Sequence, residues 1–229
     1  MARAQGRQTN ARGATLTTEM IIDAALRLSD AETGLERLTV RRLAAELGVG
    51  TMTLYGYFRS KEEILDSIAD HVLGEMRLPE ADDDDPATAL RTVGWAFLNM
   101  MREHPSVVQL FATRVTQSPE SMRGAMEGVL ERLVSSGIPG TLAVRCYSFL
   151  ISYAMGFAAY QAPRTWARTD TENRAELRRQ RQHFYSALSK EDFPQLVELA
   201  PHLVDLPSDE QFSFGLEALI ARVLSELDG

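Results

Sequence analysis

The sequence predicts an all-α chain, and three observations carry that expectation. No run alternates apolar and polar residues over the length of a strand. Apolar residues recur instead at three- and four-residue spacings. Those stretches are bounded by helix start and stop signals, with Thr, Ser or Asp before them and Gly or Pro after. At 229 residues the chain is long enough for one or two domains with a sizeable core.

Residues 1–15 hold Arg3, Arg7 and Arg12 among Gln, Asn, Thr and Gly, without periodicity, and are expected to form a flexible basic arm. A first domain spans 16–77. Thr18 is placed to cap a helix running to about Thr33, with Ile21, Ile22, Ala25, Leu26 and Ser29 along one stripe and Gly34 at its end. Thr39 caps a short helix from Val40 to Leu47 that turns Leu43, Ala44 and Leu47 inward. Gly48 makes a tight turn, Val49 plugs the angle, and a third short helix covers roughly Gly50 to Tyr57, which completes a helix–turn–helix pattern. Ser60 and Glu63 form a capping box for a fourth helix carrying Ile64, Leu65, Ile68, Val72 and Met76.

"LPEADDDDP", residues 78–86, is an acidic linker, and Asp85–Pro86 is a cap and first-turn pair for the next helix, to about Glu103. The second domain, 87–229, continues with a short helix from Pro105 through Arg114, another from Ser118–Pro119 to Ser136–Gly137, and a long uncharged one from Pro139 to about Tyr160. A polar helix over 171–189 precedes a stretch broken by Pro194, Pro201 and Pro207. "SDEQ", 208–211, is a second capping box before a last helix ending at Leu227.

The formal charge of −8 argues at first against a nucleic-acid partner. Its distribution does not: residues 1–60 hold eight Arg and six acids, leaving +2, and 61–229 hold 16 basic and 26 acidic residues, leaving −10. Electrostatic attraction acts within a Debye length of roughly 8–10 Å, so a mildly basic head on an acidic body can meet DNA with the head. A single cysteine, Cys146, excludes an internal disulfide, and no apolar leader opens the chain, so a cytoplasmic protein is expected. The uncharged stretch Cys146–Pro163 contains Ser148, Ser152, Tyr153 and Gln161 and reads as a bundle helix, not a membrane span. His71, His104, His183 and His202 lack zinc-like spacing, no glycine loop follows a strand, and no nucleophile–base set stands out, so neither metal, cofactor nor enzymatic activity is expected.

"LTVRRLAAELGVGTMTLYGYFRSKEEIL" closely resembles the DNA-binding head of the tetracycline-repressor (TetR) family: the Leu-Thr opening, "RLAAELGV", "TLY", the following aromatic pair and "SKEEIL" agree over nearly thirty positions. The resemblance implies an N-terminal helix–turn–helix DNA-binding domain and a C-terminal helical domain for ligand binding and dimerisation. It assigns DNA contacts to Arg41, Thr51, Met52, Thr53, Tyr55, Tyr57 and Lys61. Chemistry agrees. Thr51 and Thr53 suit base edges or thymine methyls, Met52 suits apolar contact, and Arg41 suits guanine. Tyr55, Tyr57 and Lys61 suit phosphates, and Thr39 opens a helix whose N–H groups could hold another, while Leu54 and Phe58 pack inward. Gly56 departs from relatives that carry a large side chain there. The competing reading is a helical ligand- or protein-binding module that does not act on DNA.

The resemblance continues more weakly through "AFLNMMREHPSVVQLFATR" and "LVSSGIPGTLAVRCYSFLISYAMGF". It implies an effector pocket, for which Val93, Phe97, Met100, His104, Leu110, Phe111, Arg114, Met126, Tyr147 and Ile151 are candidates. Positions that bind drug and magnesium in tetracycline-binding relatives fall near Val93 and near Leu110 or Phe111, which cannot coordinate Mg²⁺, so the expected effector is a small, mostly apolar molecule, with Arg114 meeting an acidic or carbonyl group. Trp95 is expected on the face opposite Val93 and Phe97. A homodimer is expected to form through the helices at 139–160 and 209–227. Their candidate faces are Leu142, Cys146, Phe149, Leu150, Tyr153 and Phe157 on one, and Phe212, Leu216, Leu219, Ile220 and Val223 on the other. The partners anticipated are therefore an operator duplex, a small effector and a second copy, and no membrane.

Overall fold

A computed structural model describes residues 15–31, 35–80, 85–114, 118–162 and 171–228. Residues 1–14 of the basic arm, the helix end at Thr33–Gly34 and Asp82 to Asp84 of the acidic run lie outside these described residues. Among the described residues there is no strand, and thirteen α-helical segments succeed one another.

The head is built from α1 (Thr18–Ala31), α2 (Val40–Leu47), α3 (Thr51–Leu54) and α4 (Lys61–Glu75). The cap of α1 is Thr17, not Thr18: its hydroxyl accepts from the Met20 N–H at 3.3 Å, which satisfies one of the unpaired first-turn donors. Thr39 caps α2 as expected, accepting from Arg42 N at 3.2 Å. Gly48 sits at φ 66°, ψ 34°, where a Cβ would be strained, and its N–H closes back on α2. α3 is half the expected length; Tyr55 to Tyr57 form the turn after it. Leu43, Leu54, Phe58, Ile64 and Ile68 close the head's core, each burying most of its side chain and contributing about 1.5–3 kcal/mol. Ser60 caps α4, accepting from Glu63 N at 3.1 Å.

The body follows with α5 (Pro86–Glu103), α6 (Val107–Thr113), α7 (Pro119–Ser121), a π-turn (Met122–Glu127), α8 (Gly128–Ser135), α9 (Gly140–Gln161), α10 (Thr171–Ser186), α11 (Pro194–Glu198), α12 (Ala200–Leu203) and α13 (Asp209–Leu227). Asp85 accepts from Ala87 N at 2.8 Å and Thr88 N at 3.0 Å, and Ser208 from Gln211 N at 3.2 Å, so both sequence-marked starts are real. The expected single helix after Pro119 is interrupted by the π-turn. At its centre Gly124 approaches the backbone of α4 so closely that a Cβ would lie 2.9 Å from the Gly74 carbonyl oxygen and nearer still to that of Leu73.

α5, α9 and α13 pack together around Val93, Phe97, Leu150, Phe212 and Leu216. α9 is long and apolar enough to cross a membrane by composition, and about a third of its apolar window is buried within the chain. Of the expected dimer faces, Leu142, Cys146, Leu150, Phe157, Phe212, Leu216, Ile220 and Val223 are spent on this intrachain core. Tyr153 stacks on Phe212 at 4.9 Å and packs against the same core, as does Leu219. What those helices leave outside is different: Val144, Phe149 and Tyr160 of α9, and Phe214 of α13, which is 79% exposed.

α6 joins head to body at both ends. At its start the Ser106 N–H and hydroxyl donate to Asp30 of α1 at 3.1 and 2.6 Å. At its end the Arg114 guanidinium pairs with Asp66 of α4 and donates to the Glu62 carbonyl at 3.2 Å.

Candidate nucleic-acid interface and ligand cleft

The helix–turn–helix leaves one face open. Arg41 on α2, Thr51 and Met52 on α3 and Tyr55 just after it are exposed, and Thr53 is half-buried. Met52 is 80% exposed, an apolar side chain that the core has no use for. Arg41 makes no hydrogen bond or ion pair among the described residues, so its five donors are available to an external acceptor.

Three of the other candidates are partly committed inside the head. The Thr39 hydroxyl caps α2, leaving the first-turn backbone as the group an anion would meet. The Tyr57 hydroxyl donates to the Leu16 carbonyl at 2.7 Å, pinning the entry into α1. A phosphate offers only acceptors, so it would have to displace that bond. Lys61 Nζ lies 3.4 Å from the Leu35 carbonyl, a long bond that leaves the ammonium two further donors. Gly56 closes the turn after α3, donating to Thr53 O at 3.1 Å; an added Cβ would lie 3.1 Å from the same oxygen.

A cleft of about 560 Å³ opens between the C-terminal turns of α4 and the outer side of α5. Its walls are Val72, Glu75, Met76 and Arg77 with Pro79 on one side, and Thr92, Trp95, Ala96, Asn99, Met100, Glu103 and His104 on the other. Of the ten expected pocket residues only Met100 and His104 are there. Val93 and Phe97 are fully buried one register position away, with Phe97 edge-on to Tyr147 at 5.9 Å. Leu110 is core, and Phe111, Tyr147 and Ile151 pack against it. Met126 points outward from the π-turn. Arg114 faces α4, where it is paired with Asp66. Trp95, expected on the far face from the pocket, lines the cleft. Thr92, Asn99 and Glu103, seven and four residues apart, put the polar groups of this wall on one side of α5.

His104 holds two roles. It borders the cleft, and its Nδ1 lies 3.2 Å from Asp30 Oδ2. That hydrogen bond raises the His104 pKa against the opposing effect of burial. Burial pushes the Asp30 carboxyl up, but the hydrogen bonds from His104 and Ser106 outweigh it, and its pKa ends below the ordinary value. Cys146 is buried, and burial raises its thiol pKa, which suits a packing residue more than a reactive one. Among the described residues no group of three His, Cys, Asp or Glu side chains is placed to hold a metal ion.

Comparison with known proteins matches both units. Residues 21–68 fit the description "Bacterial regulatory proteins, tetR family", and residues 78–226 fit "Tetracyclin repressor-like, C-terminal domain". The HTH-type transcriptional repressor DrrR1 of Streptomyces coeruleorubidus is 32% identical over 212 residues, covering 90% of this chain and 76% of that protein. The class D tetracycline repressor protein of Escherichia coli is 28% identical over 211 residues, covering 90% and 88%. Among solved structures, the Streptomyces coelicolor TetR family protein ActR in complex with (S)-DNPA superposes with a TM-score of 0.74 at 31% identity, covering 93% of this chain and 99% of that one, and its complex with actinorhodin gives the same values.

Proposed function

Because the chain belongs to the tetracycline-repressor family of bacterial regulatory proteins, we propose that it is a ligand-responsive transcriptional repressor, acting in the cytoplasm as a homodimer on a near-palindromic operator. The observation that carries the reading is the open face of the helix–turn–helix, where Arg41, Thr51, Met52 and Tyr55 stand clear of the core. In this reading Thr51, Met52 and Thr53 enter a major groove, Arg41 reads a base, and Tyr55, Lys61 and the start of α2 hold phosphates. Two heads about 34–36 Å apart would meet successive grooves.

Dimerisation is supported by Val144, Phe149, Tyr160 and Phe214, exposed apolar side chains on two long helices of the body. Effector response is supported by the cleft, since α4 forms one of its walls and also carries the head. An effector that fits only one setting of α4 shifts the head; a 100-fold loss of operator affinity requires about 2.7 kcal/mol of differential binding.

The test is selection from random-sequence duplexes, followed by titration of the selected site at several salt concentrations. The reading expects an enriched inverted repeat and a log affinity that falls linearly with log salt. No enrichment, with salt-independent binding, would return the chain to the class of helical binding modules that do not act on DNA.

A further inference from the structure

The cleft's electrostatics go beyond the regulator reading, on which this inference rests, and name the chemistry of the effector. Two helices of 15 and 18 residues, α4 and α5, both end at it. Each brings the negative end of its macrodipole, about half an elementary charge, to the same walls. α4 has no basic residue in its last turn; Arg77, just beyond, donates from Nη1 to the carbonyls of Gly74 at 2.6 Å and Met76 at 3.0 Å and so serves as that helix's own counter-charge. The other cations are matched too. Arg102 pairs with Asp209 at 2.6 Å while its guanidinium stands 5.9 Å from the centre of the Trp95 ring, and His104 pairs with Asp30 at 3.2 Å.

Two carboxylates remain. Glu75 leans on His71 at 3.4 Å, and Glu103 makes no hydrogen bond or ion pair among the described residues. Glu103 stands at the end of a ladder, Trp95–Asn99–Glu103, whose four-residue steps put an indole, an amide and a carboxylate in line along one side of α5. Val72, Met76 and Ala96 make the rest of the surface apolar.

The geometry points to a flat, amphipathic organic cation as the effector: an aromatic ring system lying against Trp95, with a basic nitrogen drawn to Glu103. The volume, about 560 Å³, suits a molecule of drug size. Asn99 supplies a donor and an acceptor for a carbonyl or hydroxyl on the ring system.

The test uses the full-length protein and three flat fluorophores, rhodamine 6G as the cation, fluorescein as the anion and Nile red as the neutral molecule, with binding followed by anisotropy. The cation is expected to bind at least about tenfold more tightly than the anion. Glu103→Gln, at an exposed position the fold does not depend on, is expected to weaken the cation roughly ten- to hundredfold while leaving Nile red within about twofold. Preference for fluorescein, absence of saturable rhodamine binding, or a Glu103→Gln variant that holds the cation unchanged would each overturn the inference. Anion preference with normal salt-dependent DNA binding removes only this inference; cation binding without any DNA binding removes the regulator reading instead.

Discussion

Arg41, open to solvent, and the Asp30–His104 pair, spent on an internal contact, illustrate how single side chains divide between outward and inward roles. Arg41→Ala is expected to cost about 1–3 kcal/mol of affinity for the selected operator and to relax the preference at one base pair; unchanged affinity and sequence logo would remove Arg41 from the reading set. Asp30 and His104 hold the head to the body, and their contribution depends on pH. His104 has a raised pKa, so its share is full below the ordinary histidine value and is lost as pH rises through the raised one. Asp30 has a lowered pKa, so its share is present above the ordinary aspartate value and is lost as pH falls through the lowered one. The pair therefore stabilises most between about pH 4 and 6.5. Asp30→Asn should lower stability by about 1.5–3 kcal/mol near pH 5.5, and by less at pH 8, in parallel melts with the parent chain. Individual roles were unevenly legible in the sequence. The open face of the helix–turn–helix was, because Arg41, Thr51, Met52 and Tyr55 sit in a local motif whose register the Gly48 turn sets. The cleft was not: it is shaped by α4 against α5, and a shift of one residue along α5 exchanges the Val93–Phe97 core stripe for the Thr92–Trp95–Asn99 wall.

The side-chain caps at Thr39, Ser60, Asp85 and Ser208 were readable, since a cap is a contact over two or three residues, whereas at α1 two adjacent threonines left the register open and the cap is Thr17. The break after Pro119 was not, because the π-turn answers to a long-range demand, the close approach of Gly124 to α4. That contact gives a sharp contrast between two glycines. Gly124→Ala must push apart two backbones and is expected to destabilise by about 1–3 kcal/mol. At Gly128 an added Cβ meets only Arg123 O at 3.5 Å, so Gly128→Ala should be neutral or gain up to about 1 kcal/mol in helix propensity. Denaturant melts of both variants decide the matter; equal midpoints would show that α4 and the π-turn have slack between them.

At the level of the assembled chain, the charge division foreseen at residue 60 falls before α4 and not at the domain boundary: α4 carries Lys61 against Glu62, Glu63, Asp66, Asp70 and Glu75, so the acidic share of the sequence begins inside the DNA-binding domain. The sequence also pointed to α9 and α13 as the dimer-forming helices, but it could not say which of their apolar residues one chain would keep for itself. Phe214 is left over, so Phe214→Glu should leave the subunit's melting point nearly unchanged while shifting light scattering toward the monomer mass and weakening operator binding. A retained dimer mass would move the contact elsewhere on the body. The two-ended attachment of α6 has a mechanical consequence. A seven-residue peg riveted to α1 through Asp30 and to α4 through Asp66 gives the head two anchor points on one rigid piece. A push on that piece would reach α1 and α4 together, one through each end.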